Sequence, residues 1–161
     1  MNADETPGDA DSPEVFVRPF GHVADRPVVR RIGDRDLHLG NGPAADPGAH
    51  DRRFEYVLSV SRGERGLTTH HRPLVDGDDA DWTAFESAVD AARRLVRRDG
   101  SVLIHCRAGI SRSAAVVAAT LAAEESLAFR DALGVVHAAR PHAMPHPRLH
   151  ELAVTYLAAR G

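Results

Sequence analysis

Short apolar segments of strand character alternate with longer segments of helical period. This alternation predicts an α/β fold: a single three-layer sandwich domain in which helices flank a central, mostly parallel sheet. Three observations carry the expectation. The runs YVLSVS (56–61) and SVLIH (101–105) are short, apolar and β-branched, as buried strands are. Residues 81–98 and 113–123 carry helical patterning and lie between or after those strands. A chain of 161 residues is long enough for one real core and too short for two.

The elements follow in order. MNADETPGDADSPE opens the chain with five acids, two prolines and no base, too polar and too broken to join a core. Residues 1–27 are therefore expected to form a flexible acidic tail and an extended lead-in, and 28–161 the folded domain. VVRRI (28–32) and LHL (37–39), on either side of GDRD, suit a short hairpin or two extended pieces, and NGPAADPGAHDRR (41–53) reads as loop. HRPLV (71–75) is a weaker strand pattern than YVLSVS. A helix from about Asp81 to Arg98 places Trp82, Phe85, Val89, Ala92, Leu95 and Val96 on one face. Arg93, Arg94, Arg97 and Arg98 close it as a solvated turn that suits the helix dipole, and Gly100 stops it. After the SVLIH strand, SAAVVAATLAA (113–123) is a well-buried helix of small residues. Ser126 is expected to cap a further helix with Phe129, Leu133 and Val136 inward, ended by Arg140-Pro141. A last helix opens near Pro147 and carries Leu149, Leu152, Tyr156 and Leu157.

Composition narrows the function. The 20 basic residues, all arginine, face 23 acids for a formal charge of -3, which argues against a nucleic-acid binder or a membrane-surface protein. Cys106 is the lone cysteine, so no intramolecular disulfide forms. No apolar run approaches a membrane span or a secretory signal, and the expectation is a soluble, cytoplasmic protein.

The chemistry concentrates in HCRAGISRS (105–113), which bridges a strand and a helix. A loop entering a helix N-terminus presents backbone N–H groups with no intrahelical partner, backed by the positive end of the dipole. Such a loop is an anion cradle, and phosphate is its natural guest. The same field favours the ionised form of a thiol at its base, which makes Cys106 a candidate nucleophile. Arg112 can grip two oxygens of a phosphoryl group. Gly109 lets the loop turn its N–H groups inward, and Ser113 stands where its hydroxyl can donate to the sulfur as Cys106 leaves.

Cys-x5-Arg preceded by His and followed by Ser resembles the phosphate-binding loop of the cysteine-dependent protein tyrosine phosphatases, and the HCRAGISRS form resembles their dual-specificity branch. Five specified positions recur by chance in a chain this long with a probability on the order of 10⁻⁴. IGDRDLHLGN (32–41) is similar to the entry segment of those domains, YVLSVS to their first central strand, and RPHAMPHPRLHEL (140–152) to their closing RP-x-x-x-P segment. The resemblance covers roughly residues 28–158.

That resemblance implies a phosphate loop formed by Arg107, Ala108, Gly109, Ile110, Ser111 and Arg112, with His105 orienting Cys106 and favouring its thiolate. It also implies a general acid from an upstream loop. VDGDDADW offers four carboxylates, and Asp76, thirty residues before Cys106, stands about where the family places its acid. Asp78 and Asp79 are the alternatives, since loop length varies. The acid would protonate the leaving oxygen and, as its conjugate base, deprotonate the attacking water. The chain departs from the family at His146, where many relatives have an Asn hydrogen-bonded to the phosphate loop.

Competing interpretations are weaker. His70 with His71, or His142, His146 and His150, could suggest a metal, but prolines interrupt the 142–146 spacing and no second cysteine is present. No metal or cofactor is expected. The expected activity is cysteine-dependent hydrolysis of phosphotyrosine and phosphoserine or phosphothreonine in a phosphoprotein substrate, through a cysteinyl-phosphate. Phosphoinositides, sugar phosphates and RNA 5′ phosphates are alternative substrates for the same chemistry, although the loop interior lacks the extra basic residues a polyphosphorylated lipid calls for. A non-catalytic phosphate-binding domain is the alternative from another class.

Overall fold

The alternating segments become β1 (Val29–Arg31), β2 (Leu37–Gly40), β3 (Tyr56–Ser59), β4 (His70–His71), α1 (Trp82–Val96), β5 (Val102–His105), α2 (Arg112–Glu125), α3 (Phe129–Ala139) and α4 (Pro147–Arg160). The computed structural model describes residues 25–160, so most of the expected tail and lead-in, residues 1–24, lies outside the described residues. The sheet order is β1-β2-β5-β3-β4. β1 and β2 form the expected hairpin, antiparallel, while β2, β3 and β4 join the sheet through parallel pairings. The fold is the α/β sandwich that the alternation implies.

Period-two alternation sends the strand side chains to two apolar clusters. Leu37, Leu39, Leu58, Val102 and Ile104 join the main core under the helices. Val57 and Leu103 point the other way, to a smaller cluster closed by Ala44 and Ala45 of a 3₁₀ turn (Pro43–Ala45) with Phe54 and Leu67. His38 lies on that second face, its ring edge-on to Phe54 at 5.1 Å. Both faces of β5 are thereby dry, which suits the central strand that carries the site.

α2 is the hub of the helical layer: it packs on α1, α3, α4, β2 and β5. Residues 113–122 of this helix are all buried, and half are alanine, so neighbouring helices approach closely. α1 is capped by Asp81, whose carboxylate accepts from the Ala84 N–H at 3.1 Å, and it buries Phe85, Val89, Ala92 and Leu95. Gly100 follows it with φ 117°, a conformation open to glycine. In α4, Leu149, Leu152 and Tyr156 are buried. No helix among the described residues is long and apolar enough to cross a membrane.

Two expectations are corrected. The strand over 71–75 shrinks to His70–His71, because beyond it donors two positions apart, Arg72 and Leu74, meet the adjacent carbonyls of Ser59 and Val60, and the ladder loses its regular register. The segment still runs along β3, with Arg72 N–H donating to Ser59 O (2.9 Å) and Leu74 N–H to Val60 O (3.0 Å). Ser126 does not cap α3: it closes α2 in the left-handed region (φ 56°, ψ 44°), and Ala128 begins α3 without a side-chain cap. α2 extends to Glu125, leaving only Ser126–Ala128 to reverse the chain. The Leu127 N–H then bonds back to Ala122 O at 3.0 Å.

Candidate active site

β5 ends at His105 and α2 begins at Arg112, so Cys106–Ser111 form the loop between the central strand and the N-terminus of the central helix. What orients this loop is visible in its carbonyls. Arg107 O accepts from Gly42 N–H (3.0 Å) and Ile110 O from Met144 N–H (2.7 Å). The buried Arg140 guanidinium donates to Ala108 O (3.2 Å) and Gly109 O (3.3 Å). A trans peptide points its C=O and the following N–H in opposite directions, so four carbonyls held outward turn the N–H groups of residues 108–111 inward. Gly109 makes the turn at φ 68°, and a Cβ there would stand 2.9 Å from Gly40 O. The result is a loop of inward N–H groups at a helix N-terminus, the geometry that an anion cradle requires.

Cys106 lies at the base of the cradle, buried, with Sγ 3.0 Å from Ser113 Oγ. Arg112 opens α2 at the far end of the loop: one Nη donates to Leu74 O at 3.4 Å, while its buried Nε has no hydrogen-bond partner among the described residues. A buried guanidinium N–H left unpaired is costly, and an oxyanion in the cradle would satisfy it.

Behind the loop, His105 is fully buried, and burial pushes its pKa down to about 4, so the imidazole is neutral. Its Nδ1 faces Cys106 O at 3.3 Å, and since a carbonyl only accepts, Nδ1 carries the proton. Nε2 must then accept from the Ser59 hydroxyl (2.5 Å), leaving Ser59 Oγ to accept from Thr68 Oγ1 (2.6 Å), which in turn accepts from the Arg65 N–H (2.9 Å). One unidirectional chain thus fixes the Cys106 carbonyl.

The structure separates the four upstream carboxylates. Asp76 Oδ1 accepts from the Ser111 hydroxyl at 2.6 Å, which brings it against the phosphate loop. Asp78 and Asp79 are exposed, Asp78 lying 3.7 Å from His146 Nε2, and Asp81 is occupied in capping α1. At His146 the backbone takes over the link to the loop: its N–H donates to Ser111 Oγ at 2.8 Å. The His146 ring instead accepts from the Arg148 N–H at 3.0 Å, at the start of α4.

The predicted loop residues, Cys106, His105, Ser113 and Asp76, therefore converge. Sequence reasoning missed Arg140, Ser59, Thr68 and Asn41. Arg140 ends a helix and opens the RP-x-x-x-P segment in the sequence, but neither pattern points to a bond with the loop carbonyls. Asn41 ties the corner beside the loop by accepting from Val28 N–H (2.9 Å) and Ala44 N–H (3.2 Å) and donating to Arg26 O (2.9 Å). Ser59 and Thr68 carry no sequence signal, because their use depends on the pairing of β3 with β5.

The chain is similar to known proteins over most of its described length. The family model described as "Dual specificity phosphatase, catalytic domain" matches residues 38–156. Human dual specificity phosphatase 28 is 38% identical over 119 residues, covering 69% of this chain and 68% of that protein. Mouse dual specificity protein phosphatase 19 is 46% identical over 72 residues, 45% of this chain, and the matched stretch spans only 33% of the mouse protein. The crystal structure of human DUSP28 superposes with a TM-score of 0.71 at 29% identity, covering 83% of this chain and 97% of that one. The family model spans most of the described chain, which belongs to the dual-specificity phosphatase family.

Proposed function

We propose that this domain hydrolyses phosphotyrosine and phosphoserine or phosphothreonine in proteins through a cysteinyl-phosphate. The observation that supports it most directly is the loop itself: four carbonyls held outward turn its N–H groups inward, and Cys106 at its base has Sγ 3.0 Å from the Ser113 hydroxyl. The Cys106 thiolate attacks phosphorus as the bond to the ester oxygen breaks, and Asp76 gives its proton to that leaving oxygen. Water then attacks the phosphocysteine, Asp76 takes its proton, and the S–P bond breaks to release phosphate. As negative charge returns to sulfur, the Ser113 hydroxyl donates to it. Arg112 and the loop N–H groups bind the equatorial oxygens, whose charge they stabilise in both steps. The neutral His105 moves no proton here; its chain to Ser59 holds the peptide on which the sulfur is carried.

Replacing Cys106 tests this. Cys106→Ser should lose at least about a thousandfold in kcat/KM toward an aryl phosphate while still binding tungstate, because the hydroxyl cannot replace the thiolate but leaves the cradle intact. Activity above that level speaks against covalent catalysis. If wild type binds tungstate but turns over no aryl phosphate, the domain is a phosphate-binding module instead.

A further inference from the structure

Two large apolar side chains stand exposed next to the cradle without serving the core. Val75 is 53% exposed and Met144 44%; among the described residues Val154, on α4, is the other large exposed apolar side chain. A single exposed apolar residue is ordinary. These two are placed by the phosphate loop itself. Val75 lies between Leu74, whose carbonyl accepts from Arg112, and Asp76, whose carboxylate accepts from Ser111. Met144 donates its own N–H to Ile110 O, and two residues on, His146 N–H donates to Ser111 Oγ. Both segments thus meet at the C-terminal half of the loop, and they approach each other again where His146 Nε2 lies 3.7 Å from Asp78. Folding already draws an apolar anchor from each segment, Leu74 at 4% and Ala143 at 2% exposure, so neither Val75 nor Met144 is needed there for packing.

We infer that Val75 and Met144 form an apolar rim that seats a hydrophobic residue of a phosphorylated polypeptide, within two positions of the phosphorylated residue. The inference rests on the phosphatase activity proposed above and adds to it a class of substrate. When a phosphorylated side chain enters the cradle from an extended peptide, residues two positions away project to the same side, roughly 7 Å along the chain. That spacing suits a rim built on the segments flanking the loop. Met144, unbranched and flexible, can adapt to differently shaped partners. A sugar phosphate or an RNA 5′ end would set hydroxyls and charges against this rim and lose their hydration for nothing. The exposed Asp78 and Asp79 beside Val75 would also repel the further phosphates of RNA or of a polyphosphorylated lipid.

The test uses two phosphotyrosine peptides that differ only in carrying Leu or Ser at both positions two residues from the phosphotyrosine. Wild type should favour the Leu peptide in kcat/KM by about tenfold. In the near-isosteric double variant Val75→Thr/Met144→Gln that ratio should fall toward one; taking a ratio within each protein cancels any change in the chemistry or in the folded fraction. Equal use of the two peptides by wild type, or an unchanged ratio in the variant, overturns the rim. So does faster turnover of a 5′-phosphorylated RNA or of phosphoinositide vesicles than of either peptide. Binding of both peptides to Cys106→Ser reads the same preference without turnover, and equal affinities overturn it too. Turnover of p-nitrophenyl phosphate by wild type reports separately on the underlying activity, so failure of that activity and failure of the rim remain distinct.

Discussion

At Asp76 and His105 the local environment decides what a side chain can do. Asp76, bonded to Ser111, is the carboxylate tied to the loop, and its proposed role as acid makes a specific demand. Asp76→Asn should slow a phosphoserine peptide by on the order of 10²- to 10⁴-fold, and an aryl phosphate, whose leaving group needs little help, far less. The high-pH fall in kcat/KM should flatten in the same variant; if instead Asp78→Asn or Asp79→Asn changes the alkyl-to-aryl ratio, the acid is elsewhere on that loop. His105 makes a prediction about stability. Burial lowers its pKa from 6.5 in the unfolded chain to about 4 in the fold, so the unfolded chain binds the extra proton first. Stability from this group is complete above pH 6.5 and drains as pH falls to about 4. Urea titrations should show wild type losing about 3 kcal/mol more than His105→Gln over that interval. Parallel curves for the two proteins would show that the buried imidazole is not the sensor.

Among the elements, the α2–α3 connection carries an avoidable cost. Ser126 is exposed and held at φ 56°, where its Cβ crowds the carbonyl that follows. Glycine at this position removes that cost but gains freedom in the unfolded chain, so the two effects partly cancel. Ser126→Gly is expected to raise the unfolding free energy by about 0.5 kcal/mol, read as a shift of the urea midpoint at constant m-value. A lower midpoint would mean that the turn is not strained. The element-level expectations that held are those with local causes: the start of α1 at Asp81, its apolar face, and the continuous burial of α2. Those that failed, the long β4 and the Ser126 cap, depended on where the neighbouring element stopped.

For the whole molecule, the site is a meeting of segments far apart in sequence. Gly42, Asp76, Arg140, Met144 and His146 all hydrogen-bond to the loop between residues 107 and 111. Arg140 tests how much the cradle owes to this. Arg140→Met keeps the bulk of the side chain but leaves the Ala108 and Gly109 carbonyls without their donor. Tungstate affinity and kcat/KM should each fall at least about tenfold, with a loss of stability of about 1–3 kcal/mol. The tungstate-induced rise in Tm should shrink accordingly. Loss of stability with unchanged tungstate affinity would show that the guanidinium supports the fold but does not orient the cradle.

The order of strands and helices, the loop between β5 and α2 and the place of its cysteine follow from the sequence alone, because each depends on residues near one another in the chain. Apolar period sets the elements, and HCRAGISRS places Cys106, Gly109 and Arg112 by the geometry of one strand-loop-helix connection. Distance along the chain favours Asp76 but leaves Asp78 and Asp79 open; the bond of Asp76 to Ser111 depends on packing across 35 positions. The same holds for the Arg65–Thr68–Ser59–His105 chain, which exists because β3 pairs with β5 and sets Ser59 opposite His105. Hydrogen-bond partners brought together by sheet register and helix packing leave no periodic trace in a sequence, and only the folded arrangement decides them.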